Sequence, residues 1–150
     1  MRTIISRYAV VLAVATAMAL VLIAAPARAS EGAKFKVIVV KATNDGQAMD
    51  ASLQEYANLL KNKGFNNFAK VSSASFSLKK DASKTVGISG GLKVTLTFLS
   101  EVNNRVAFKY QIFVGQQAKP AISHSIPRGG KTVLIIPLSK HAFMLIIEVD

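Results

Sequence analysis

The chain contains no cysteine and no tryptophan. Without cysteine there is no disulfide to staple an exported fold, so an apolar core must hold it together. Histidine occurs twice, as His124 and His141, with no carboxylate at metal-ligand spacing, so no zinc site is expected. Carboxylates are scarce as well: 8 Asp and Glu stand against 19 Lys and Arg in 150 residues. They are scattered, and no pair suggests general acid and base catalysis. Asn44, Asp45 and Asp50 lack the distal acid of an EF-hand loop, and Asp50 fits better as a helix cap. Neither a metal nor a cofactor is expected.

What is present begins with a leader. Arg2 and Arg7 precede "YAVVLAVATAMALVLIAA", an uncharged run from Tyr8 to Ala25. Pro26 breaks it, and Ala27-Arg28-Ala29 offers small residues where a signal peptidase reads. Residues 1–29 are therefore expected to be a signal peptide, cleaved before Ser30, and residues 30–150 a single domain. The competing reading is an uncleaved anchor, since eighteen apolar residues just span a bilayer of about 30 Å. Cleavage leaves no transmembrane span, and the protein is expected in the periplasm or outside the cell.

Three of the cations, Arg2, Arg7 and Arg28, lie in the leader, leaving 16 against the 8 acids. Nearly all of these are lysines. A Lys-rich excess favours loose, salt-sensitive attraction to polyanions over bidentate recognition of one group. Anionic envelope polymers, or another envelope protein, are the expected partners; the bland alternative is solubility alone. The aromatic residues fall mostly on inward phases of strands, which argues against base stacking and specific nucleic-acid binding.

Along the domain, "KFKVIVVKA" alternates Phe35, Val37 and Val39 against Ile38 and Val40. Two apolar faces predict a central strand covered on both sides. One helix should follow: Asp50 as N-cap, then Leu53, Tyr56, Ala57 and Leu60 as one stripe, closed by Gly64. The remainder reads as β. Leu92, Val94, Leu96 and Phe98 alternate with Lys93, Thr95 and Thr97, and Asn103-Asn104 makes a tight turn. Val106, Phe108, Tyr110, Ile112 and Val114 form the next inward set. "TVLIIPL" and "FMLIIEV" finish the chain. The expected fold class is α+β, with one amphipathic helix packed on a mostly antiparallel sheet of about six to eight strands.

Two motifs carry chemical possibilities. "GISGG", Gly87 to Gly91, matches the G-x-S-x-G pattern of a nucleophile elbow, with Glu101 and His124 or His141 following in hydrolase order. The elbow requires a helix directly after the serine, whereas "GGLKVTLTF" has the period of a strand. Ser89 is expected at a hairpin corner, and no catalytic residue is assigned. "PRGGK" offers Arg128, Gly129, Gly130 and Lys131 as a candidate anion nest, the alternative being a glycine hairpin with incidental cations.

The strand "FKVIVVKATNDG", the helix from Asp50, the entry "SGGLKVTL" and the closing "PRGGKTVLIIPL" and "FMLIIEV" together resemble small exported bacterial proteins of uncharacterised function. That resemblance implies a leader, then β-α-β and a β-rich remainder, and no catalytic residues. The final hairpin is similar to that of secretin-type outer-membrane proteins, with Pro137-Leu138 where a glycine pair is expected there. Three functions follow as expectations. The first is a non-enzymatic binding or accessory domain at the cell envelope. The second is an assembly component of a secretion or pilus system that uses "FMLIIEV" as an edge strand. The third, a serine hydrolase using Ser89, lacks its helix.

Overall fold

The computed structural model describes residues 32–150, so the expected leader at residues 1–29 lies outside the described residues. Ten strands form two five-stranded sheets. The first contains β1 (Ala33–Thr43), β2 (Ala48–Met49), β3 (Asn67–Leu78), β9 (Lys131–Pro137) and β10 (Ala142–Val149), in the order β2-β3-β1-β10-β9. The second contains β4 (Ser83–Ser89), β5 (Leu92–Val102), β6 (Arg105–Val114), β7 (Gln117–Ala118) and β8 (Ile122–Pro127). There β4, β5 and β6 lie in sequence, and β7 and β8 share the far side of β6. All pairings are antiparallel except the short β2–β3 contact.

The architecture follows from apolar faces that need cover. Along β1, Phe35, Val37 and Val39 face the second sheet, while Ile38, Val40 and Ala42 face the other way. β10 is buried through Ala142–Ile147 and at Val149, with β1 on one side and β9 on the other. Each fully buried aliphatic side chain of this kind contributes about 1.5–3 kcal/mol relative to exposure. The expected single sheet is therefore two. The turn after Leu78 carries the chain across the sandwich, so that Ala74, Phe76 and Leu78 can bury against Val94, Leu96 and Phe98. Strands of one apolar face each are satisfied when two such faces meet.

The helical segment, α1, is shorter than the sequence stripe suggests. A 3-10 turn at Ala51–Tyr56 runs into a single α-turn at Ala57–Leu60. Asp50 caps it as expected, its Oδ1 accepting from the Ser52 amide at 2.9 Å and the Ser52 hydroxyl at 2.8 Å. Those hydrogen bonds hold the Asp50 carboxyl below its usual range. Leu53, Tyr56 and Leu60 are buried against Ile38, Val40, Met144 and Ile146. Three buried anchors hold the segment, and Lys61 is already extended, with φ −60° and ψ 154°, so the helix ends at Leu60, before Gly64. With one short helix against ten strands the domain is mostly β. The helix closes the outer face of the first sheet, giving three layers.

Two hairpin corners are set by the residues expected there. Gly90 and Gly91 have φ of 56° and 81°, and Asn103 and Asn104 have φ of 51° and 60°. Positive φ at both central residues is the twist-matched hairpin geometry, which Gly adopts freely and Asn tolerates.

Candidate functional site

Three groups of chemistry-bearing residues occupy different places in the sandwich. At one end, the turn at residues 127–130 passes from β8 to β9. The Arg128 amide donates to Asn104 O at 2.9 Å, the Gly129 amide to Val149 O at 2.6 Å, and the Gly130 amide to Pro127 O at 2.9 Å. Arg128 also grips Glu101 with two guanidinium donors, one of them Nε at 2.9 Å. This pair raises the Arg128 pKa and holds the Glu101 carboxyl below its ordinary value. Lys131 reaches Glu148 at 2.9 Å. The nest amides expected to face an anion are engaged with internal carbonyls, and both neighbouring cations already have carboxylates.

Under α1 lies a second, connected group. Lys36 Nζ donates to the Tyr56 hydroxyl at 3.0 Å, and that hydroxyl donates to Glu148 Oε2 at 2.7 Å. Lys131 Nζ sits 4.6 Å from the centre of the Tyr56 ring. Burial pushes the Tyr56 phenol up. Burial also works against charge on Glu148, but hydrogen bonds from Tyr56, Lys131 and Lys36 outweigh it, leaving the carboxyl below its usual 4.5. Lys36 is raised by its bond to Tyr56 and Lys131 by its bond to Glu148. A phenol held protonated between filled partners is a tie between helix and sheet, with no free base beside it.

The third group surrounds Ser89. Leu92 onward is β5, so no helix amides face the serine. Ser89 pairs with Leu92 across the glycine corner, the hairpin position read from the sequence. Glu101 lies at the far end of β5, about 30 Å of extended strand away. His124 contacts Thr132 at 3.3 Å and the Phe108 ring. His141, however, is brought to the same cleft as Ser89. No hydrogen bond joins the two among the described residues, where the ring of His141 stacks edge-on against Phe143 at 5.3 Å. Ser89, Glu101 and a histidine are thus not brought together as a triad.

That cleft is the most site-like feature of the domain. It opens between the two sheets at the end opposite the Arg128 turn, with a volume of about 570 Å³. Buried Leu92 and Phe143 form its floor, and exposed Val71, Val114 and Leu138 form its walls. Lys41, Ser89 and His141 supply its polar groups. Val71 is there because a β-bulge in β3 between its pairings to Val39 and Val40 leaves one residue unpaired. The mouth stays open where two glycine turns meet, the Gly115 amide donating to Gly91 O at 3.0 Å.

No pattern in the sequence marks Lys41, Val71 or Leu138 as site residues, and the alternation of β6 predicts Val114 inside. Val114 does follow the inward phase of β6, but burial fades along that strand from Phe108 to Val114. Inward-phase apolar residues beside glycine turns at the ends of strands were the available signal. Among the described residues no three His, Asp or Glu side chains gather as metal ligands.

Set against known protein families, curated proteins and solved structures, the chain matches none.

Proposed function

We propose that the protein is an exported, non-enzymatic binding module of the cell envelope, held by loose attraction between its lysines and anionic polymers. One observation carries this reading. Every lysine of the domain except Lys36 is exposed, and apart from Lys36 and Lys131 none has an ion-pair partner among the described residues. The best buried carboxylates, Glu101 and Glu148, are turned to internal pairs. Little negative charge therefore remains to offset the lysines, which are spread over both sheets and both ends. Such a surface attracts polyanions at long range without fixing one geometry. The expected result is retention of the protein on phosphocellulose at low salt. Retention should be lost by about 0.5 M salt, where the screening length is roughly 4 Å. Flow-through at low salt, or binding indifferent to salt, would remove the reading.

The assembly reading loses the strand that suggested it, because β10 is central and paired on both sides. Of the first sheet's two edges, β9 and β3, the longer is β3, whose outer side beyond Phe68 has no partner strand among the described residues. That edge carries Lys70, a run of serines and the Val71 bulge. Charge and bulges are the devices that keep edge strands from pairing, so strand addition finds no support in it.

A further inference from the structure

We propose that the cleft between the sheets binds a single-chain amphiphilic carboxylate, a fatty acid, with its alkyl chain between Val71, Val114 and Leu138 and its head group at Lys41 and His141. Four observations converge on it. The volume of about 570 Å³ lies within the range of small-molecule sites, roughly 300–1,000 Å³. Six large apolar side chains stay exposed among the described residues, and three of them line this one cleft: Val71 at 46%, Val114 at 49% and Leu138 at 44%. They come from β3, the end of β6 and the turn after β9, and so belong to both sheets. On a surface so rich in lysine, their gathering at one cleft offers an apolar lining that singly scattered residues would not.

The third observation is charge. No carboxylate lines the cleft, and Lys41 has no ion-pair partner among the described residues. A ligand carrying an anionic group would find its charge unopposed, and the Ser89 hydroxyl and the His141 ring add hydrogen-bonding capacity beside it. The fourth is the floor. Leu92 and Phe143 are buried parts of the sandwich core, so an alkyl chain entering the mouth would continue a contact surface that already exists. A free cation at the rim and an apolar interior together describe a ligand with one charged end and one saturated tail. Such a role would also account for apolar side chains left exposed at a strand end and a turn, where polar residues would cost the fold nothing.

The test is displacement of 11-(dansylamino)undecanoic acid, whose fluorescence rises in an apolar site, from the whole protein. The probe should bind, and laurate should displace it. Dodecanol should compete about two- to fivefold less well, the range of one exposed charge contact. Dodecyltrimethylammonium should be weaker still. Val114→Asp places a carboxylate on the wall and should weaken laurate at least about tenfold, as burial of an unpaired charge requires. Leu138→Asp provides the same test on a turn, should the strand variant fail to fold. Lys41→Glu should abolish the preference for laurate over dodecanol. Absence of probe binding would overturn the proposal, as would laurate affinity unchanged in the wall variants or dodecanol binding as well as laurate. Displacement by a peptide with a free apolar C-terminus in place of laurate would overturn it in favour of a protein partner. Retention on phosphocellulose should survive Lys41→Glu, since many other lysines contribute to it, so the two readings fail separately.

Discussion

At one end of the sandwich, the turn after Pro127 ties β8, β9 and the end of β10 together through backbone bonds, and Arg128 and Lys131 are each paired with a glutamate. At the other end, Val71, Val114 and Leu138 stay exposed, and Lys41 stands without an ion-pair partner among the described residues. The cores below differ as well. Toward the tied end, Phe35 packs on Phe76, Phe98 and Phe108, with ring centres 5.7–6.4 Å apart. The open end has Leu92 and Phe143 with a void between the sheets. The contrast teaches where a domain without disulfides concentrates its packing and where it leaves apolar groups uncovered. One end is filled by packed rings and paired polar groups, and this leaves the other free to keep groups that a ligand would satisfy.

The largest expected effect lies in the aromatic cluster. Phe35→Ala should lower the free energy of unfolding by about 3–5 kcal/mol, against less than about 0.5 kcal/mol for Leu138→Ala at the open mouth. Urea melts of the two variants measure the contrast directly, and equal losses would break it.

A smaller effect is expected where the charged network meets the helix. Tyr56→Phe removes the hydroxyl between Lys36 and Glu148 and should cost about 1.5–3 kcal/mol, the range for hydrogen bonds to charged groups. If thermal melts of this variant overlay those of the parent, α1 is held by the apolar packing of Leu53, Leu60 and the ring at position 56, and the hydroxyl adds nothing.

The smallest effect sharpens the comparison through pH. Glu148 is held below its ordinary 4.5 in the folded state. Its contribution is therefore complete above that pH and is lost as pH falls through the lowered value. Glu148→Gln should flatten, without abolishing, the loss of melting temperature on acidification, because Asp50 and Glu101 are lowered too. A variant with the same acid slope as the parent would place the sensitivity elsewhere.

Much of this was legible along the chain. The two-faced pattern of β1, the Asp50 cap, the glycine and asparagine corners and the inward phases of β5 are local matters. Each depends on the alternation of side chains or on which residues accept a positive φ. The form of α1 was not legible, because Leu53, Tyr56, Ala57 and Leu60 read as one α-helical stripe, whereas the first six residues are a 3-10 turn and Lys61 is already extended. The end of the chain misled in another way. "FMLIIEV" is apolar whether it is an edge or a centre, and only its pairing with both β1 and β9 decides which.

The candidate site was the least legible part. Ser89 stood out by motif and proved to sit at a corner, yet its cleft neighbours Lys41, Leu138 and His141 lie far from it in sequence and carry no pattern. By itself the sequence determined most of the long strands and their faces, the cap and the corners, since these are set by neighbours a few residues away; the short β2 and β7, the strand β4 and the exposure of Val114 were not among them. Tertiary structure decided that the strands divide into two sheets, that the amides of the Arg128 turn are taken by the carbonyls of Asn104, Pro127 and Val149, and that the opposite end stays open. Those outcomes depend on which distant faces meet and where one sheet runs out before the other, and no window of sequence contains that information.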